Sequence, residues 1–369
     1  MENKRQHYVP QFYFRLFSKD GKQIEVYNLK RQQSFTSPIG PMCAKNYFYS
    51  KNSDIEKVFS NLEGRQSNVM NFVIDNQKLP DDPKEYLMLL SFICLQHTRT
   101  ESSKMKGDQT MKLFSDEVVQ SVLGPNPDYE IVFPALHLLK MQRALQSIPL
   151  IGDLISVILI NKTQKDFIFS DNPVVFHNTY LNRVRNFGVL GLQSPGLQIF
   201  CPLNNKIMLM LYDPKFYSIN IKADYTLEIN DESDIESLNA LQFLNCNENI
   251  FFSDNVQENK VEEIHKKIKH LIGKRKMTKK IISLPDENGR KRDLVHFYEE
   301  RPDYDLKLSF VKLNTVSDVG TVRNQDMVNK IQKDMDNYDL YQSSKFLRLI
   351  YKVKMVLRRL KYRLLIQFQ

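Results

Sequence analysis

The chain has 369 residues, 42% of them hydrophobic, with 52 Lys and Arg against 43 Asp and Glu and a formal net charge of +9. That composition is too apolar for a disordered chain and too interrupted by charge for a membrane-embedded one. The surplus charge is local: residues 340–369 hold eight Lys and Arg and no acid, leaving 44 basic residues against 43 acidic ones elsewhere, so any argument from charge to partner belongs to that terminal stretch.

Four cysteines, Cys43, Cys94, Cys201 and Cys246, stand far apart with no C-x-x-C pair. They indicate neither a disulfide framework nor a metal knuckle, and they fit a reducing compartment. Residues 1–14 are polar and charged where a signal peptide has an apolar stretch. The longest apolar run, 148–160, is broken by Asp153 and is too short to span a bilayer. The expectation is a cytoplasmic protein with no transmembrane segment.

In chain order, the first fifty residues read as β structure. Residues 23–29 and 34–36 suggest a hairpin after the Asp20-Gly21 turn, and residues 46–49 a short aromatic strand or buried loop. Helix signals begin at Ser53-Asp54-Ile55-Glu56, which has the form of a capping box ahead of an apolar stripe running to Val73. A second helix is expected from Pro83 to about Thr100, with proline in its first turn. Further helix is expected around Gly107 and over 134–146. Residues 155–160 and 167–169 read as two strands around an Asn161-Lys162 turn, and 196–201 and 206–212 as two more. A helix over 232–245 and a short apolar run over 249–252 close this part. The order is that of an α+β fold: an N-terminal β-hairpin, a central helical block, mixed strands and a C-terminal amphipathic helix.

After residue 255 the composition changes, with eight Lys and Arg and no acid over 265–280, a turn at Asp286-Glu287-Asn288-Gly289 and a last strand over 307–313. The expected organisation is an α+β core over 1–255, a basic α/β extension over 256–330 and a basic amphipathic helical tail over 331–369. In the tail, Phe346, Leu349, Ile350, Val353, Val356, Leu357, Leu360 and Leu364 form one stripe with a basic opposite face. Such a helix suits an anionic membrane surface, nucleic acid, a protein partner or its own body.

Two strings carry a family resemblance: His7-Tyr8-Val9-Pro10-Gln11-Phe12-Tyr13-Phe14-Arg15-Leu16-Phe17 and Asp166-Phe167-Ile168-Phe169-Ser170-Asp171-Asn172-Pro173-Val174. They resemble the H-Y-V-P-x-x-Y-L-R-x-F start and the F-x-T-S-D-N-P-V motif of the domain of unknown function 4238 family. Phe14 replaces Leu and Phe169 replaces Thr. The resemblance extends to Glu56, Glu63, Gln96, Arg99 and the helix from Asn239 to Asn245, over roughly residues 5–255. It implies one core domain and no particular reaction.

The same residues supply the candidate site. His7 is an imidazole suited to general-base work, or to bonding a backbone carbonyl, and Arg15 suits a phosphate or an internal acid. Ser170, Asp171 and Asn172 stand at a strand end, where Asp171 orients His7 or binds a cation and Asn172 donates to an oxyanion, unless both only bond the backbone of an Asx turn. Gln96 and Arg99 carry one helix face from core to cavity; Arg99 serves as a phosphate clamp or follows the macrodipole. Glu56 and Glu63, seven apart, suit a divalent ion, although Glu56 has a capping role. The remaining histidines are scattered, and no Walker, G-x-G-x-x-G, G-x-S-x-G or H-E-x-x-H motif occurs.

Two functions are expected from these residues. One is a hydrolase acting on a phosphate-containing substrate, a nuclease or nucleotide hydrolase of bacterial defence, with His7, Asp171 and Arg99 catalytic, Arg15, Gln96, Ser170 and Asn172 binding substrate, and no residue assigned to a metal. The other is a non-catalytic scaffold recruited to a membrane or partner through residues 340–369.

Overall fold

A computed structural model describes residues 5–326 and 329, apart from 50–52, 125–135, 186, 255, 257, 274, 286–290 and 321. The turn expected at 286–289 and the amphipathic tail at 331–369 lie outside the described residues. The N-terminal part runs β1 (Arg5–His7), α1 (Gln11–Arg15), β2 (Gln23–Asn28), β3 (Gln33–Pro38) and β4 (Ala44–Asn46). The helical block is α2 (Ser53–Asn76), α3 (Pro83–Arg99), α4 (Glu101–Leu123) and α5 (Leu136–Gln146). Strands β5 (Ile155–Asn161), β6 (Phe169–Ser170), β7 (Val175–His177), β8 (Gln198–Pro202), β9 (Ile207–Tyr212), β10 (Tyr217–Ile219) and β11 (Thr226–Ile229) follow. The chain then gives α6 (Glu232–Asn245), β12 (Asn249–Phe252), α7 (Glu258–Ile268), β13 (Met277–Pro285), β14 (Lys291–Glu299) and β15 (Val311–Leu313).

This is the expected α+β order, with one insertion near the start. Pro10, extended at φ −63° and ψ 145°, sets up the single turn of α1 inside a region that reads as strand. Burial explains the override, because Tyr13 and Phe14 of α1 and Phe17 just after it are all but inaccessible. Each such aromatic contributes about 1.5–3 kcal/mol of burial, more than the local preference it opposes. The hairpin of β2 and β3 forms as expected, its turn ending at Gln32 with φ 53°. Helix α3 starts as its sequence directs, with Pro83 in the first turn and the Asp82 carboxylate accepting from Lys84 N at 2.9 Å.

Two sheets share the core. One has the order β11-β5-β9-β8-β7 and is antiparallel except for β11 beside β5; the other has the order β3-β2-β12-β6 and is antiparallel throughout. Residues 167–169 therefore do not return onto β5. The Asn161 side chain accepts from the N and Oγ1 of Thr163 and donates to the Lys165 carbonyl at 2.5 Å, building a wider loop. The chain leaves that loop to place β6 in the second sheet, and β5 takes β9 and β11 as neighbours. Strand β5 is buried on both faces: Ile158 and Ile160 join the core that also holds α1, α2 and α3, and Val157 and Leu159 join the core that holds Ile235, Leu238 and Leu241 of α6. A strand covered on both sides has no polar alternation, which is why it reads as an unbroken apolar run.

Beyond residue 256, Leu306 and Leu308 add to the core on the α6 side, β15 pairs with β10, and Arg323 bonds Asp153 and the Leu150 and Leu192 carbonyls. Among the described residues, no helix is long and apolar enough to cross a membrane.

Candidate functional site

A cavity of about 370 Å³ opens where β1, α1, α2 and the end of α3 meet. Its polar lining includes His7, Gln11, Arg15, Glu56, Glu63 and Arg99. Five residues picked out by sequence, His7, Arg15, Glu56, Glu63 and Arg99, thus come together.

Arg99, the last residue of α3, is only 1% exposed. Its Nη2 donates to Glu63 Oε1 and to the His7 carbonyl, both at 2.7 Å, and its Nε donates to the Tyr49 hydroxyl at 3.0 Å. Tyr49 donates in turn to the same His7 carbonyl. The guanidinium carbon lies over the rings of Tyr49 and Phe59, 5.5 Å from each centroid. Burial works against the Arg99 charge, yet Tyr49 and Glu63 outweigh it and hold the pKa above the usual arginine value. Arg99 is thus committed to building the cavity, and only Nη1 finds no hydrogen-bond partner among the described residues.

His7, Gln11 and Arg15 follow one another at spacings of four, with Gln11 and Arg15 on one face of α1. Arg15 Nη2 donates to Gln11 Oε1 at 3.1 Å, Gln11 Nε2 lies 3.1 Å from His7 Nε2, and the Gly40 carbonyl lies 3.0 Å from the same ring nitrogen. Burial lowers the His7 pKa below 6.5, against the opposing pull of the Gly40 carbonyl and Glu63, so the ring is neutral at pH 7.

On α2, Glu56, Ser60, Glu63 and Ser67 sit on one face at i, i+4, i+7 and i+11, and all four line the cavity. Burial raises the Glu56 pKa, Glu63 raises it further, and Arg99 opposes. Glu56 Oε2 has no hydrogen-bond partner among the described residues. Glu63 pairs with Arg99, and no group of three His, Cys, Asp or Glu that could hold a metal occurs among the described residues.

The other sequence candidates lie away from this cavity, in a buried frame. Gln96 is fully buried and donates to the Tyr8 carbonyl at 3.0 Å. Asp171 accepts three backbone N–H bonds, from Asn247 at 2.8 Å, Glu248 at 2.7 Å and Asn249 at 3.1 Å, and so fastens the loop between α6 and β12. Burial outweighs those bonds and pushes its pKa up to about 6. Asn239, Gln242 and Asn245, three apart on α6, form a ladder of amides along residues 166–174. Asn239 accepts from Ile168 N and donates to the Asp166 carbonyl. Gln242 accepts from the N and Oγ of Ser170 and donates to the Pro173 carbonyl. Asn245 donates to the Asn172 carbonyl at 2.6 Å. Asn172 Oδ1 accepts from Thr100, the neighbour of Arg99, at 3.0 Å. The Ser170-Asp171-Asn172-Pro173 string thus meets α6, the loop after it and Thr100, through tertiary bonds rather than the local bonds of an Asx turn.

Gln11, Tyr49, Ser60 and Ser67 are among the lining residues that sequence reasoning missed. The four-residue spacing of His7, Gln11 and Arg15 was a usable signal for the first; nothing local marks Tyr49, which reaches the site through a tertiary turn. No curated protein and no solved structure matches the chain. A family model described as a protein of unknown function, the domain of unknown function 4238, matches residues 5–256, which span β1 to β12 and so contain both the cavity and the amide ladder, and the chain belongs to that family.

Proposed function

We propose that the cavity hydrolyses a phosphate ester, as a nuclease or nucleotide hydrolase of bacterial defence, with His7 as general base, Glu56 as general acid and Arg15 binding the phosphate. The observation that carries this reading is one cavity whose environment pushes two groups in opposite directions: burial keeps the His7 ring unprotonated and keeps the Glu56 carboxyl toward its protonated form. Such a pair supplies both halves of hydrolysis. His7 takes a proton from water as its oxygen attacks phosphorus, and Glu56 gives a proton to the leaving oxygen as the ester bond breaks. The guanidinium of Arg15 is matched to phosphate oxygens. In this reading Arg99 shapes the site, and Asp171, Ser170, Asn172 and Gln96 hold its frame.

Four free cysteines support placing this activity in the cytoplasm. The basic residues 340–369 would carry the enzyme to an anionic surface or to nucleic acid.

The test is a digestion panel of DNA, RNA and nucleotides, with and without divalent cations, comparing the wild type with His7→Ala. Cleavage by the wild type that His7→Ala loses by a factor of about 10²–10⁴ supports the reading. No cleavage anywhere on the panel, or equal cleavage by both proteins, overturns it.

A further inference from the structure

Gln11 stands between the anion-binding and proton-accepting residues of the cavity, and its two contacts fix which way its amide points. Arg15 carries only donors, so the Gln11 atom meeting it at 3.1 Å is the carbonyl oxygen. The NH2 group is thereby turned to His7 Nε2, also at 3.1 Å. An amide NH2 donates only to a bare ring nitrogen, whereas the Gly40 carbonyl, 3.0 Å from the same Nε2, accepts only from a protonated one. One nitrogen cannot do both. Its two neighbours select opposite tautomers of the neutral imidazole.

We propose that Gln11 is a positioning residue that couples an anion at Arg15 to the tautomer of His7. The inference rests on the reading of this cavity as a phosphate-ester site. While Arg15 holds the Gln11 oxygen, the amide donates to Nε2 and the ring proton sits on Nδ1. A phosphate oxygen that takes over the Arg15 donor releases the amide. The amide then turns its oxygen to His7, the ring proton moves to Nε2 and is shared with Gly40 and Gln11, and Nδ1 becomes the bare nitrogen. No proton is gained or lost overall. Which ring nitrogen is left bare to act as base is thus set by the substrate's own phosphate.

The experiment is long-range ¹H–¹⁵N correlation NMR of the full chain with ¹⁵N-labelled histidine, the His7 signals being identified by their loss in His7→Gln. Spectra are recorded with and without inorganic phosphate, and phosphate binding is measured in parallel by calorimetry. The wild type is expected to show the Nδ1–H pattern without phosphate and the Nε2–H pattern with it. Gln11→Glu cannot donate to Nε2 and is expected to show the Nε2–H pattern under both conditions; Gln11→Leu, which also lacks the donor, is expected to match it. Phosphate that binds without changing the wild-type pattern overturns the coupling alone, and so does a Gln11→Leu protein that still switches. Phosphate that fails to bind overturns the coupling together with the phosphate-site reading beneath it.

Discussion

Glu63 Oε1 and Arg99 Nη2 meet at 2.7 Å beneath the cavity, tying α2 to the end of α3 at the level where the His7 carbonyl receives its second bond from the same guanidinium nitrogen. Glu63 is 25% exposed at its side chain and Arg99 2%, so the pair is solvated from one side only. Removing the buried partner leaves Glu63 and Tyr49 without the bonds that Arg99 donates and the His7 carbonyl with the Tyr49 hydroxyl alone. Arg99→Met is expected to cost about 3–5 kcal/mol of folding free energy, the range for breaking a buried ion pair. Arg99→Lys, which keeps the charge and loses the fork, is expected to recover part of it. Urea unfolding of the three proteins checks both values; a loss below about 1 kcal/mol in Arg99→Met would show the pair to be dispensable.

The amide ladder of α6 predicts a second cost far from the cavity. Gln242→Leu leaves the N and Oγ of Ser170 without an acceptor and the Pro173 carbonyl without a donor. Each buried group left unsatisfied costs about 1–3 kcal/mol. Gln242→Leu is expected to lower the urea midpoint by more than Glu236→Gln on the same helix, since Glu236 pairs with Lys165 and Lys267 near the surface.

Asp171 predicts a pH dependence of stability. Its folded pKa, about 6, lies above the ordinary 3.8, so between those values the unfolded chain has released a proton that the folded chain still holds. Its contribution is fully present at pH values below 3.8 and is lost as pH rises through 6. The loss amounts to about 3 kcal/mol at 1.36 kcal/mol per pKa unit. Unfolding free energies of the wild type and Asp171→Asn, measured at intervals over this range, are expected to diverge in slope: the wild type loses stability relative to the variant as pH rises, with no further change above about pH 7. Parallel slopes would place the Asp171 pKa near its ordinary value.

Periodicity made the helices from Pro83 to Arg99 and from Glu232 to Asn245 legible, because each has a capping residue, Asp82 or Asp231, and an uninterrupted pattern behind it. Pairing between strands was less legible. The neighbours of β5 come from residues 207–212 and 226–229, and no local signal in 155–169 says that they will arrive there. The candidate site divides the same way. His7 and Arg15 were findable because one turn of chain joins them, and Arg99 because the face of α3 turns from apolar to polar toward its end. Ser170, Asp171 and Asn172 look like exposed strand-end polar residues in sequence, but α6 covers them with a row of amides whose three-residue spacing shows its purpose only when the two segments are seen side by side.

Arg15 predicts a division of kinetic effects. A residue that holds the phosphate equally in the ground and transition states moves KM more than kcat, whereas a general base, the role proposed for His7, acts only as the bond is made. On the substrate that the digestion panel identifies, Arg15→Met is expected to raise KM about tenfold with a smaller change in kcat, while His7→Gln lowers kcat by a factor of about 10²–10⁴. Initial-rate kinetics on both variants separate the two roles; equal losses of kcat would place Arg15 in the chemical step.

The pH profile of kcat/KM is the most direct test of His7 and Glu56 as base and acid. The proposed mechanism needs His7 unprotonated and Glu56 protonated, and the two shifts bring those conditions together: the His7 pKa falls below 6.5 and the Glu56 pKa rises above 4.5. A bell-shaped profile is predicted, its acid limb set by His7 and its alkaline limb by Glu56, and Glu56→Gln should lower the rate and abolish the alkaline limb. A rate that climbs to a plateau above about pH 7, an alkaline limb unchanged in Glu56→Gln, or no cleavage at any pH would contradict the assignment.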